Sequence, residues 1–112
     1  MSNSLTWDEF MNVEMRVGTI ISAEIFKEVR NPAYKITVDF GEFGIRKTSA
    51  QVTTLYEAEE LVGKQIVAVI NFPPKQIATM MSECLVLGGI GDNKDVTLLQ
   101  PERPVKNGTR IG

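Results

Sequence analysis

Apolar and polar residues alternate along much of the chain, and this period of two predicts β-strands. The first alternating segment covers residues 17–25, where Gly18 indicates a bulge or a sharp bend of the kind found at barrel corners. A second segment covers residues 34–40 and leaves one face polar. Residues 45–51 follow a glycine-containing turn and predict the return strand.

Two other segments carry the signals of short helices. Thr6 and Glu9 have the spacing of a capping box, in which each side chain binds the backbone amide of the other residue. Thr54 and Glu57 repeat that spacing, and Gly63 is placed to end a second helix. The sequence therefore predicts one short helix before the first strand and another between the third and fourth strands.

The second half of the chain predicts two more barrel strands and a short β extension at the C-terminal end. Three strands, a helix and two further strands follow the order of the OB fold, a five-stranded Greek-key barrel. We therefore predict one all-β domain over residues 1–112. The closest alternative, an SH3-like barrel, gives no reason for a helix between the third and fourth strands. The predicted elements are an apolar strand over residues 65–72, ended by Pro73 and Pro74, an irregular segment over 75–82, a fifth strand over 84–87, a short strand over 96–100 and a terminal hairpin turning at Asn107 and Gly108.

Composition and charge narrow the class of protein. The chain has 112 residues, 43% of them apolar, which suffices for one domain with its own core. Its net charge of −2 disfavours non-specific coating of nucleic acid, although residues 27–47 hold five bases against three acids. One cysteine, no signal-like start and no apolar stretch of about 20 residues predict a cytoplasmic protein without membrane insertion.

The residue types needed for catalysis are largely missing. The chain has no histidine and a single cysteine, which removes histidine-dependent nucleophilic sites and the usual zinc sites. Cys84 lies in an apolar strand and is interpreted as a buried, inert thiol. The glycine-rich segment 88–91 lacks the lysine and serine of a phosphate-binding loop. We therefore expect a binding protein rather than an enzyme, with no cofactor and no metal.

Residues 71–83 are the most informative segment. They join the last two barrel strands, where OB proteins commonly hold their ligand, and they combine one base, Lys75, with apolar Ile77, Met80 and Met81. These three apolar side chains fit two interpretations. They pack onto the end of the barrel, or they form an adaptable apolar binding surface.

The motif Asn71-Phe72-Pro73-Pro74-Lys75, followed by Ser82-Glu83 and by residues 85–89, resembles the signature of the tRNA-binding OB domain family. More narrowly, the chain resembles the CsaA secretion chaperone family. Further matching pieces are the segments 16–20, 38–41, 49–51, 61–65 and 107–109.

The resemblance implies a homodimer of OB barrels that binds the outside of tRNA by shape, and a secretion-related chaperone that recognises unfolded preproteins or the export machinery. The alternative is a tRNA-binding protein or tRNA synthetase accessory factor with no chaperone role. Thr79 and Met81 stand where relatives usually have a glycine and a basic residue, which weakens the tRNA interpretation and slightly strengthens the peptide one.

Three sets of candidate residues follow from these patterns and from the resemblance. The tRNA-binding set is Lys35, Arg46, Lys47, Ser49, Gln51, Asn71, Lys75, Ser82 and Glu83. The peptide-binding set is Phe72, Ile77, Met80 and Met81, and the dimer-interface set is Trp7, Phe10, Met11, Leu98, Val105 and Ile111.

Overall fold

Antiparallel strands form a nearly closed five-stranded barrel in the computed structural model, which describes residues 3–112. The order of the barrel strands is β3-β2-β1-β4-β7, and a short helix separates β3 from β4, which confirms the predicted OB-type fold. The barrel strands are β1 (Met15–Ile25), β2 (Tyr34–Asp39), β3 (Ile45–Ala50), β4 (Gln65–Val69) and β7 (Leu85–Val86).

Strand β2 shows why the alternating segments became strands. Tyr34, Ile36 and Val38 are buried, whereas Lys35 and Thr37, which alternate with them, are half-buried and face outward. Apolar side chains on one face meet the barrel core, where Ile20, Phe40, Leu61 and Ile66 pack with them. Burial of this one face fixes the register of the sheet, because a slip by one residue would expose every apolar side chain.

The irregularity in β1 lies at Ile21 and not at Gly18. The pairing of β1 with β2 shifts its register between Ile20 and Ser22, which leaves Ile21 as an extra, exposed residue. Gly18 has a different function. A Cβ atom at this position would lie 2.6 Å from side-chain atoms of both Val38 and Phe40, so the glycine permits close packing inside the barrel.

The first predicted helix is confirmed and the second begins later than expected. Helix α1 (Trp7–Met11) has Thr6 as its N-cap, with both hydrogen bonds of the capping box formed. Helix α2 (Ala58–Leu61) follows Glu57, whose backbone amide donates to Glu60 Oε1 at 2.8 Å. The box predicted at Thr54 is therefore wrong, because the acidic pair three residues further along caps the helix.

Residues 75–82 are regular rather than irregular. Strands β5 (Lys75–Ile77) and β6 (Met80–Ser82) form a hairpin, and its turn contains Ala78 at a φ of 52°. A second hairpin pairs β8 (Gly88–Ile90) with β9 (Val96–Leu98). Its two strands lie where the sequence predicts a glycine-rich turn and one short strand.

The C-terminal segment turns at Asn107 and Gly108 as predicted, but it pairs with β1 instead of forming a hairpin of its own. The Val17 amide donates to Thr109 O at 2.9 Å, and Arg16 and Arg110 form an antiparallel bridge. Asn107 holds the C-terminal segment against β1, since its Oδ1 accepts a hydrogen bond from Thr19 Oγ1 at 2.7 Å. The tail thus covers the edge of β1 that β2 does not reach.

Candidate ligand-binding faces

The outer face of β1, β2 and β3 carries a polar groove of about 380 Å³. Two rows of residues cross it, because Glu24 pairs with Lys35, and Ser22 pairs with Thr37, whose other partner is Lys47. The tip of the β5–β6 hairpin, with Thr79 and Met80, forms a further wall. The residues lining the groove are Ser22, Glu24, Lys35, Ile36, Thr37, Lys47, Thr79 and Met80.

Two of the predicted RNA-binding bases, Lys35 and Lys47, meet in this polar groove. The Lys35 ammonium lies 3.6 Å from Glu24 Oε1 and 5.4 Å from the centre of the Phe26 ring, so it is held in place from two sides. Lys47 is exposed. The groove therefore offers two cations beside the hydroxyl groups of Ser22 and Thr37.

Arg46 is placed differently from its neighbour Lys47. Its Nη1 donates to Ile70 O at 2.6 Å and its Nε donates to Phe43 O at 3.3 Å, and the side chain is half-buried. The guanidinium therefore joins the strand ends of the barrel through two of its nitrogens. We infer a structural function for Arg46, which does not line the polar groove.

Ser82 and the buried Thr48 connect the β5–β6 hairpin to the barrel. The Thr48 hydroxyl lies 2.8 Å from Ser82 Oγ and donates to Cys84 O at 2.8 Å. Since Ser82 also lies 3.3 Å from the same carbonyl, these polar groups satisfy one another inside the protein. Desolvation raises the pKa of the neighbouring Cys84 thiol to about 12, as expected for an inert cysteine.

The side chains of Glu83 and Asn71 also form hydrogen bonds with the protein's own backbone. Glu83 Oε1 accepts from the Lys47 amide at 3.0 Å, while the Glu83 amide donates to Lys47 O at 2.8 Å. Asn71 Oδ1 accepts from the Glu14 amide at 3.0 Å, and its Nδ2 donates to Asn12 O at 2.7 Å. Both residues of the signature motif thus fix the position of the segment 71–83 within the fold.

The β5–β6 hairpin has two different faces. Ile77 and Met80 form a directly opposed pair and are half-buried, whereas Gln76 and Met81, the next pair, are exposed. Ile77 and Met80 therefore fit the interpretation of packing toward the barrel. Met81 stands in solvent and remains available for binding.

An apolar groove of about 280 Å³ lies beside the Pro73-Pro74 bend. Phe72 is 54% exposed at its rim, and Met81, 47% exposed, lies on the hairpin that follows. Lys75 contributes the basic side chain of the groove, and Ser82, Cys84 and Leu85 complete its lining. The bend is therefore open to solvent and is not sealed within the barrel.

Ser49 and Gln51 line a third groove of about 360 Å³, although Ser49 also pairs directly with Lys35. This groove separates the end of β3 from β7 and is lined mainly by apolar residues, including Leu85, Val86 and Leu98. The nine residues of the predicted RNA-binding set are thus spread over several surfaces and internal contacts.

The predicted dimer residues fall into exposed and buried groups. Trp7 is 69% exposed and its ring centre lies 5.7 Å from that of Phe10, while Arg110 Nη2 donates to Met11 O and brings the tail against α1. Leu98 belongs to the core and is only 8% exposed, so it offers no interface surface. The others, Met11, Val105, Phe10 and Ile111, are exposed or half-buried.

The sequence reasoning missed Ser22, Glu24 and Thr37, which line the polar groove. Thr37 could have been found, because it shares the polar face of β2 with Lys35. Ser22 and Glu24 could also have been found, because they alternate with Ile21, Ala23 and Ile25 along the first predicted strand.

Residues 3–112 contain neither a cluster of metal-binding side chains nor a membrane-spanning helix. No group of three or more histidine, cysteine, aspartate or glutamate side chains is placed to hold a metal ion there. No helix in the same part of the chain is long and apolar enough to cross a bilayer.

Known proteins resemble this chain over nearly its full length. Residues 15–110 match the family described as a putative tRNA binding domain. The structure of the chaperone CsaA from Bacillus anthracis str. Ames is 49% identical with a TM-score of 0.93, covering 97% of this chain and 99% of that one. The CsaA chaperone protein from Picrophilus torridus is 44% identical with a TM-score of 0.91, covering 97% and 100%.

A tRNA ligase shows the same domain within a longer protein. The methionine–tRNA ligase of Methanococcoides burtonii is 36% identical over 107 residues, which is 96% of this chain. The chain spans only 16% of that ligase's length. Together these similarities confirm the resemblance drawn from the signature motif.

Proposed function

The chain belongs to the family of putative tRNA binding domains and, within it, to the CsaA group, and we propose that it binds the outside of folded tRNA through the polar groove on β1, β2 and β3. Lys35 and Lys47 contact backbone phosphates, and Lys75 adds a further contact from the hairpin. The hydroxyl groups of Ser22 and Thr37 are placed to meet ribose 2′-hydroxyls. Such contacts recognise shape rather than base sequence.

One observation carries this proposal: two lysines on neighbouring strands share a groove otherwise lined largely by uncharged side chains. Lys35 pairs with Ser49, and Thr37 pairs with Lys47, so the two lysines are diagonal neighbours. Diagonal positions of this kind lie about 7–8 Å apart. That spacing lets both ammonium groups engage one RNA backbone while the net charge of the whole chain stays at −2.

The direct test measures tRNA affinity as a function of salt for wild type, Lys47→Ala and the control Lys106→Ala, which removes an exposed lysine outside the groove. We expect Lys47→Ala to lower affinity roughly tenfold and to reduce the slope of log K against log salt by about 0.7–0.9. Equal losses in both variants, or no tRNA binding by wild type at low salt, would reject the proposal.

The apolar groove beside Phe72 supports a second function, the capture of unfolded preprotein segments in support of export. Phe72 and Met81 are both about half exposed, at 54% and 47%, and flexible methionine surfaces suit varied partners. Wild type is then expected to slow the aggregation of a chemically unfolded client protein. The variant Phe72→Ser, which alters the exposed aromatic residue of the groove, is expected to lose this effect, whereas Val62→Ser, which alters an exposed valine after α2, retains it.

The outcomes separate the two functions. Suppression of aggregation that is insensitive to salt and unaffected by Lys47→Ala supports peptide binding. Undiminished client aggregation in excess protein, together with tight tRNA binding, leaves the alternative of a tRNA-binding or synthetase accessory factor with no chaperone role.

We propose further that the protein is a homodimer whose interface includes the exposed surface around Trp7 and Met11. The ring of Trp7 is too exposed to contribute much to the monomer core. Sedimentation of wild type is expected to give twice the monomer mass, and Trp7→Glu to shift it to the monomer. The control Leu55→Glu, at another exposed apolar position, is expected to remain dimeric.

A further inference from the structure

Glu24 is the only carboxylate among the described residues that line the polar groove. Its Oε1 lies 3.6 Å from the Lys35 ammonium, and its side chain is 72% exposed. Lys35 is less exposed and has a second support, the Phe26 ring. The carboxylate is therefore the less constrained partner of the pair, since the ammonium has a second contact and more of its side chain is covered.

The position of Glu24 follows from the bulge in β1. Ile20 points into the core before the bulge, and Ala23 packs against the core after it, so the two inward positions are three positions apart instead of two. Because the bulge accommodates Ile21 as an extra residue, Ser22 and Glu24 remain on the outer face. A glutamate in this place counts against a groove that binds phosphate, because it cancels one of two positive charges.

We infer that Glu24 is a specificity-determining residue of the RNA groove, because it occupies Lys35 until a backbone phosphate displaces it. This inference rests on the proposed binding of tRNA in the same groove. A folded RNA that presents phosphates to Lys35 and Lys47 together gains enough binding free energy to displace the carboxylate. An extended single strand has no fixed arrangement of phosphates, so it gains less binding free energy and is bound more weakly.

The charge-neutral variant Glu24→Gln tests the inference. With Lys35 no longer paired, we expect tRNA to bind about three- to tenfold more tightly at low salt, with a salt slope steeper by up to about 0.9 because one more counterion is released. Unstructured RNA of equal length is expected to gain more than tRNA does. The control Glu102→Gln, which removes a carboxylate paired with Arg103 outside the groove, is expected to change neither value.

A second comparison separates pairing with Lys35 from general repulsion of RNA. In the Lys35→Met background, Glu24→Gln is expected to change tRNA affinity less than twofold, because there is no ammonium left to release. Unchanged urea midpoints establish that all variants remain folded.

Three results would overturn the inference. These are an unchanged affinity in Glu24→Gln, a gain that persists fully with Lys35→Met, or equal gains for tRNA and unstructured RNA. A wild type that binds tRNA while Glu24→Gln matches it rejects this inference alone. Absence of tRNA binding by both proteins rejects the proposed function as well.

Discussion

The hydroxyl oxygen of Thr48 lies 2.8 Å from the hydroxyl oxygen of Ser82. Thr48 is buried in β3 and Ser82 ends β6, so this contact attaches the hairpin to the barrel wall. The attachment determines how firmly Lys75 and the neighbouring apolar groove are held.

Thr48→Val is expected to destabilise the protein by about 1–3 kcal/mol, because it removes the buried hydroxyl that contacts both Ser82 Oγ and Cys84 O. Urea unfolding measures the loss. The same replacement at Thr37, which is only half-buried and faces the polar groove, is the matched control and is expected to cost little. Equal losses at both positions would show that the buried hydroxyl contributes nothing particular.

The raised pKa of Cys84 predicts a loss of stability at high pH. Burial raises the thiol pKa from its ordinary 9.0 to about 12 in the folded protein. The contribution of the buried thiol to the free energy of unfolding is therefore fully present below pH 9. It declines as the pH rises toward 12, because the thiol of the unfolded chain loses its proton first. The slope approaches about 1.4 kcal/mol per pH unit.

Unfolding by urea between pH 8 and pH 11 tests this dependence, with Cys84→Ala as the reference. The difference in stability between wild type and variant is expected to shrink as pH rises. The comparison also removes the parallel effect of Tyr34, whose pKa is raised mainly by desolvation. A constant difference across this range would contradict the assignment to the thiol.

Mutation of Arg46 is expected to lower stability, whereas mutation of its neighbour Lys47 is expected to weaken tRNA binding. Arg46→Met removes the bonds to Ile70 O and Phe43 O and is expected to cost about 2–3 kcal/mol of stability. Lys47→Met is expected to change stability by less than about 0.5 kcal/mol while weakening tRNA binding. Urea unfolding and tRNA titration of both variants give the comparison, and a stable Arg46→Met with weakened binding would restore Arg46 as a ligand residue.

Asn71→Leu is expected to release the N-terminal segment, because one amide group holds both the Glu14 amide and Asn12 O. Hydrogen exchange at the Glu14 amide is expected to accelerate, while exchange in β2 stays slow. Asn71→Asp keeps the acceptor but loses the donor, and is expected to fall between wild type and the leucine variant. Unaltered exchange at Glu14 in the leucine variant would show that this side chain is dispensable for docking α1.

Gly18→Ala is expected to cost about 1–3 kcal/mol, because the new Cβ would lie 2.6 Å from the Val38 and Phe40 side chains. Gly89 provides the control, since the nearest atom to a Cβ there is 4.0 Å away. Thermal unfolding of the two alanine variants measures the difference. Similar stabilities would mean that the barrel interior can yield at this point.

The fold could be predicted from sequence because burial of one face leaves a period of two in β2, and because Thr6 and Glu9 mark a helix start locally. The second helix start was placed too early, since Thr54 and Glu57 have the right spacing but Glu60 makes the actual contact. The pairing of the tail with β1 was not predictable, because it depends on contacts between residues far apart in the chain.

The candidate site was predicted less well than the fold. Lys35 and Lys47 were found because polar positions in alternating strands share a face. Arg46, Asn71 and Glu83 were grouped with them because a charged or amide side chain looks the same in sequence whether it binds RNA or a backbone carbonyl. Only the packed structure shows that their hydrogen-bonding groups are already in use.

The bulge lets β1 carry Ile21 as one residue more than its partner strand without disturbing the residues on either side. Ile20 and Ser22 pair with Val38 and Thr37, which are consecutive in β2, so deleting Ile21 would leave a continuous ladder. Ser22 and Glu24 would stay on the outer face, and Ala23 would stay on the inner one. Related chains that align here with a one-residue gap are therefore expected to keep the same groove side chains and to lose only the bulge and the exposed Ile21.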